Sequence, residues 1–168
     1  ISSYQWKSGT LADCDPKFPT RLSAWVDDKL TFATDGSSHF GFVVDGPSVL
    51  ETPQGRFELQ PGMYSCVSGS CSISQGRGIV MSRVAFDGLF QIGGPVEKKG
   101  RLKYIDGCTD TLLISPIKLG DPCLNLLCFP EGIDQTSHTH PSDRIGVVCR
   151  GRGDCVTPER TIELTPGL

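Results

Sequence analysis

The sequence predicts an all-β domain of the sandwich, jelly-roll or barrel type, and three observations carry that reading. First, its 168 residues include 20 Gly and 12 Pro with no G-x-y period and no low-complexity tract. This composition fits many tight turns and not a collagenous or disordered chain. Second, helical periodicity is scarce: the best stretch, Arg21 to Leu30, is short and reads as irregular chain or strand. Third, short apolar runs alternate with Gly/Pro turns at intervals of about 8–12 residues, the spacing of many-stranded β domains.

The elements follow in order. Phe40 to Val44 reads as a strand that turns at Asp45-Gly46-Pro47 into a second strand, Ser48 to Thr52. Pro53-Gln54-Gly55 turns into Arg56 to Gln60, where Phe57 and Leu59 share one face because strand side chains alternate. Pro61-Gly62 then leads into Met63 to Val67. Gly78 to Phe86, Leu89 to Ile92, Arg101 to Ile105 and Thr111 to Ile117 read as further strands. Cys123 to Phe129, Ile145 to Arg150 and Arg160 to Leu164 complete the set. The Gly93-Gly94-Pro95 to Gly100 stretch is the best internal boundary and places a division near residues 104/105.

Charge and composition exclude several function classes. The formal net charge of −3 argues against a dedicated nucleic-acid binder. Lys98, Lys99, Arg101 and Lys103 form one local basic cluster, read as a solvated loop. No apolar run approaches the ~18–20 residues needed to span a bilayer. The eight cysteines contain no CxxC pair, so neither a zinc ribbon nor a thioredoxin-type redox site is supported. Several lie in apolar strand-like runs, which suits reduced, buried thiols of a cytoplasmic protein more than a disulfide framework. Trp6 and Trp25 are read as core or edge cover, and His39 as a capping or surface residue. Asp106 and Asp110 bracket Cys108 as a minor candidate carboxylate pair, and Arg152-Gly153-Asp154 reads as a tight turn.

One constellation carries chemistry. His138-Thr139-His140 brings together two of the three histidines. On an extended strand both rings point to one side, where they can share a metal ion. Gly132 precedes His138 by five intervening residues, Pro141 follows His140, and Gly151 closes the stretch.

The spacing Gly132-x5-His138-x-His140-x3-Arg144-x6-Gly151 resembles the first motif of the cupin superfamily, G-x5-H-x-H-x3–4-E-x6-G. The resemblance implies a small jelly-roll barrel with a divalent metal (Fe, Zn, Mn or Ni) inside it, held by the motif's His and Glu side chains. His138 and His140 match the metal histidines. Arg144 stands where the Glu belongs, and a guanidinium has no lone pair to give a cation. Asp143 is then the remaining candidate oxygen ligand, and Arg144 a candidate ligand-binding residue. An earlier stretch, Phe57 to Met63, resembles the opening of the second cupin motif, and the metal histidine expected downstream of it falls at Ile73. The chain ends on Pro166-Gly167-Leu168, where a second motif would open. Together these features imply a two-cupin protein with a degenerate half at 1–104 and a shortened cupin half at 105–168. A single barrel drawing on both halves is the rival.

Three functions follow from the resemblance and the site chemistry. One is a metal-dependent enzyme, with a dioxygenase or isomerase as the family-level expectation. Another is a metal-free binding module for a small anion or carboxylate at Arg144. The third is a structural jelly roll without catalysis. A small-molecule ligand and homodimerisation through sheet surfaces are the expected associations.

Overall fold

The computed structural model describes residues 2–14 and 17–167, so Leu168 of the Pro-Gly ending lies outside the described residues. The first ten strands are β1 (Gly9–Cys14), β2 (Thr20–Val26), β3 (Leu30–Phe32), β4 (Ser38–Asp45) and β5 (Ser48–Thr52), then β6 (Gly55–Leu59), β7 (Tyr64–Ser68), β8 (Cys71–Ser74), β9 (Arg77–Arg83) and β10 (Gln91–Gly93). They form two antiparallel sheets, one ordered β1-β2-β9-β4-β7-β10 and the other β3-β8-β5-β6. Consecutive strands repeatedly change sheet, as in a jelly roll. The remaining strands are β11 (Leu102–Lys103), β12 (Thr109–Ile114) and β13 (Leu124–Cys128), which make a three-stranded sheet, and the hairpin of β14 (Gly153–Val156) with β15 (Thr161–Leu164).

Alternation along β4 shows how the layers stack. Its inward positions, His39, Gly41 and Val43, face the second sheet, while Phe40 on the opposite face packs outward. Ser38 to Val43 are all buried, so both faces of this strand are covered. The inner core joins Trp25, Val43, Leu59, Val67, Ile73 and Val80 across the two sheets. The outer face meets the C-terminal sheet: Phe40 and Cys66 pack with Ile114 of β12, and Leu124 of β13 leans on the same cluster.

Trp25 fixes the end of the barrel. It is fully buried, and its Nε1–H donates to the Gln75 carbonyl at 2.8 Å. The buried Ser48 hydroxyl donates to the same carbonyl at 2.9 Å. Gln75 sits in the β8–β9 turn at φ 61, a left-handed conformation uncommon for a side-chain-bearing residue. Opposite Trp25 in the β2–β9 register is Gly78. Any Cβ there would collide with the indole ring and the Phe42 carbonyl, so glycine is required by close approach.

The strands over 38–45, 48–52, 55–59 and 64–68 match the sequence reading closely. The strands read at 78–86, 111–117, 123–129 and 160–164 are likewise present within a few residues, as β9, β12, β13 and β15. The 21–30 stretch, read as irregular chain or strand, is strand over most of its length, divided by a bend where Asp27 has φ 53. Elsewhere the structure differs. The expected strand at 145–150 is absent: these residues have no neighbouring strand, and the Val148 carbonyl accepts a bond from Gly167 N–H at 2.9 Å. Apolar alternation makes a strand only where a partner supplies the ladder. Gly153 and Asp154 open β14, so the Arg-Gly-Asp tripeptide runs into a strand instead of turning.

Trp25→Ala is expected to lower stability by about 3–5 kcal/mol, the usual cost of emptying an aromatic site. Gly78→Ala should cost about 1–3 kcal/mol through overpacking. Urea denaturation followed by circular dichroism measures both.

Candidate functional site

The histidines divide between two places: His39 inside the ten-strand barrel, and His138 with His140 on a loop outside it. Inside the barrel the walls nearly close. The cavity left is about 10 Å³, bordered by Phe32, His39, Ser65, Cys71 and Ile73 among others. That is room for about one water. Ile73 lies in this wall, where the weak second-motif echo would have set a metal histidine.

His39 is the functional group that the sequence reading misplaced. It is 3% exposed, not a surface cap, because β4 is flanked by β7 and β9 and roofed by the second sheet. Its Nδ1 is 2.8 Å from the Ser82 hydroxyl, its ring stacks near Phe32 with centroids 4.3 Å apart, and Nε2 has no hydrogen-bond partner. Burial lowers its pKa below the ordinary histidine value, against opposing pulls from the Asp35 carboxylate and the Gly69 backbone. The signal available in the sequence was the i, i+2 set His39, Gly41, Val43 in a strongly apolar strand. Cys66 and Cys71 of this barrel are also buried: desolvation first, and Asp87 second, pushes Cys66 up to about 11, and desolvation pushes Cys71 up to about 12. Such thiols are poor nucleophiles at neutral pH.

The histidine pair sits elsewhere, on the long connection between β13 and β14. His138 and His140 are exposed and lie on no strand, so they do not point into a barrel as expected. What holds them is local. Asp106, in the turn Ile105–Gly107 at φ 55, accepts the Thr136 backbone N–H at 2.6 Å. Gln135 donates to the buried Cys108 thiol at 3.3 Å. His138 Nδ1–H in turn donates to the Thr136 carbonyl at 2.7 Å, which leaves the lone pair of the neutral ring on Nε2. The bonds from Thr136, and more weakly the His138 charge, hold the Asp106 carboxyl below the usual range. Asp106 and Asp110 do not act together: Asp110 instead accepts from Asn125 at 2.9 Å.

The two imidazoles meet edge to face, with centroids 4.9 Å apart. Arg144 Nη2 donates to His140 Nδ1 at 3.0 Å. A guanidinium only donates, so this contact fixes the proton of neutral His140 on Nε2. Burial, then the Arg144 and His138 charges, lowers the His140 pKa. His138, His140 and Arg144 are thus brought together, while Asp143 is exposed and does not join them. Among the described residues no group of three His, Cys, Asp or Glu side chains converges to hold a metal ion. As arranged, the donor set does not fit one: His140 turns a proton, not a lone pair, outward from Nε2. No helix among the described residues is long and apolar enough to cross a membrane.

His39 ties stability to pH with a definite sign. Its folded pKa lies below the unfolded value of about 6.5. Above pH 6.5 both states are neutral and the contribution is fully present. As pH falls below 6.5 the unfolded chain takes up the proton first, so stability drops by up to about 1.4 kcal/mol per pH unit until the folded pKa is reached. Denaturation midpoints between pH 7 and pH 5 should fall more steeply in the native protein than in His39→Phe.

No family model matches the chain, and no curated protein matches it. Among solved structures, a protein of unknown function from Vibrio parahaemolyticus overlaps 49% of this chain and 98% of its own at 15% identity, with a TM-score of 0.35. A cupin 2 conserved barrel domain protein from Leptotrichia buccalis overlaps 99% of this chain and 79% of its own at 16% identity, with a TM-score of 0.57. With the strand order described above, that likeness identifies the fold as an all-β jelly roll of the cupin type.

Proposed function

We propose that this cupin-fold chain is a binding protein that takes a small carboxylate at His138, His140 and Arg144 without a metal ion. The observation that carries the reading is the 3.0 Å contact between Arg144 and His140 Nδ1. It holds the guanidinium beside the imidazole and turns His140 Nε2–H outward as a donor. Arg144 keeps further N–H groups in a fork that suits the two oxygens of a carboxylate. His138 packs edge to face against the His140 ring and helps hold it in place. Nearly filled, the barrel interior leaves the exposed loop as the place for such a ligand. The buried thiols Cys66, Cys71 and Cys108 suit a reducing compartment such as the cytoplasm.

One observation favours a second reading. The lone pair of the neutral His138 ring is on Nε2, and this ring lies 4.9 Å from that of His140. If Arg144 releases His140 and Asp143 turns in, the two rings and one carboxylate would supply the ligands of a divalent metal, with the dioxygenase or isomerase chemistry expected of such a set.

Titration calorimetry separates the two. Acetate, succinate and benzoate are the probes for the first reading, and binding of at least one is expected to weaken at least about tenfold in Arg144→Ala. Arg144→Lys should recover it only in part, because an ammonium lacks the fork. Stoichiometric Zn²⁺ binding that is lost in His138→Ala and strengthened in Arg144→Ala would overturn the carboxylate reading in favour of the metal.

A further inference from the structure

We propose that the groove between the ten-strand barrel and β12 binds a single-ring polyhydroxylated molecule of the monosaccharide class, independently of the Arg144 loop. The groove has a volume of about 220 Å³, against about 10 Å³ inside the barrel. It is smaller than the ~300–1,000 Å³ of sites for drug-sized ligands, which limits the occupant to about one ring. It also lies where two sheet systems meet, a common position for ligand sites.

Its walls are chemically distinct. Tyr64, Pro95, Val96 and Leu113 form an apolar side, and Glu97, Arg101 and Thr111 form a polar one. Glu97 and Arg101 are joined as a two-pronged pair, Arg101 Nε to Glu97 Oε2 at 3.1 Å and Arg101 Nη2 to Glu97 Oε1. Such a pair presents spare guanidinium N–H donors directly beside spare carboxylate lone pairs. A free anion placed there meets the Glu97 charge, and a cation meets Arg101. A hydroxyl donates and accepts at once, so neighbouring hydroxyls on a ring match this alternation. The C–H face of the same ring would lie against Tyr64 and Pro95. The basic cluster Lys98, Lys99, Arg101 and Lys103 is thereby divided: Arg101 is committed to Glu97 in the groove wall, while the three lysines are exposed and do not line the groove.

The site is formed before any ligand arrives. Val96 N–H donates to the Gly62 carbonyl at 2.9 Å, which ties the linker to the barrel. Gly93 passes beneath the Tyr64 phenol so closely that any side chain there would strike it. On the far wall, Arg101 N–H donates to Thr111 Oγ1 at 3.1 Å and Gly100 N–H to Thr109 Oγ1 at 3.0 Å. Gln91 Nε2 reaches the Leu113 carbonyl at 3.1 Å and spans the two sides. Pre-organisation of this kind lowers the ordering cost of a weak ligand.

Saturation-transfer NMR on the full chain tests the proposal with glucose, galactose and mannose as probes. At least one hexose should receive transfer to its ring protons, at a millimolar dissociation constant. Glu97→Gln and Arg101→Ala, both on an exposed loop, should each weaken it at least about tenfold. Arg144→Ala should leave it unchanged, which separates this groove from the carboxylate site. Absence of transfer from all three sugars, undiminished transfer in both loop variants, or displacement of the bound sugar by acetate would overturn it.

Discussion

The contact on which this molecule depends is the burial of the Trp25 indole against a residue with no side chain. The ring fills the end of the barrel only because Gly78 stands opposite it. Its N–H reaches only one acceptor, the Gln75 carbonyl, which the left-handed backbone at Gln75 aims inward. Removing any member of that set leaves either a cavity or an unpaired buried polar group, and both are costly. The adjoining strands inherit their placement from it. Ser48 of β5 binds the same carbonyl, so the two sheets are tied at one point as well as packed.

From that point outward the interior is tight and mostly apolar, and its buried polar side chains are serines and His39. His39 is partnered on one nitrogen and bare on the other. Chemistry of the kind the fold often encloses has little room here, since Phe32 and Ile73 occupy the space. Polar groups with free valences lie instead on the C-terminal segment and along the seam between the halves.

Much of the barrel was legible because its turns were. Pro53-Gln54 closes a hairpin whose register runs Thr52 to Gly55, and Asp45-Gly46-Pro47 marks the preceding corner. β3 and β8 were not legible. Leu30-Thr31-Phe32 and Cys71-Ser72-Ile73-Ser74 are short and half polar, and they become strands because they pair with each other while β8 also pairs with β5. The opposite error occurred at 145–150, where alternation was present and a partner was not. His138, His140 and Arg144 could be read as a group from spacing alone. Their anchoring to Asp106 could not, because that contact joins residues 30 apart through a turn with positive φ. Equally hidden was the Glu97–Arg101 pair beside Tyr64, which the sequence presents merely as part of a basic run.

The separation of the histidine loop from the barrel core has a consequence for how the chain can change. His138, His140, Asp143 and Arg144 are all exposed, and none of them is a member of the inner core. Substitutions there trade against almost no packing, whereas a change at Trp25, Gly78 or His39 is felt by both sheets. Selection can therefore act on ligand preference in the loop while the barrel is held constant by its own closure. Evolvability and robustness in this protein reside in different stretches of chain.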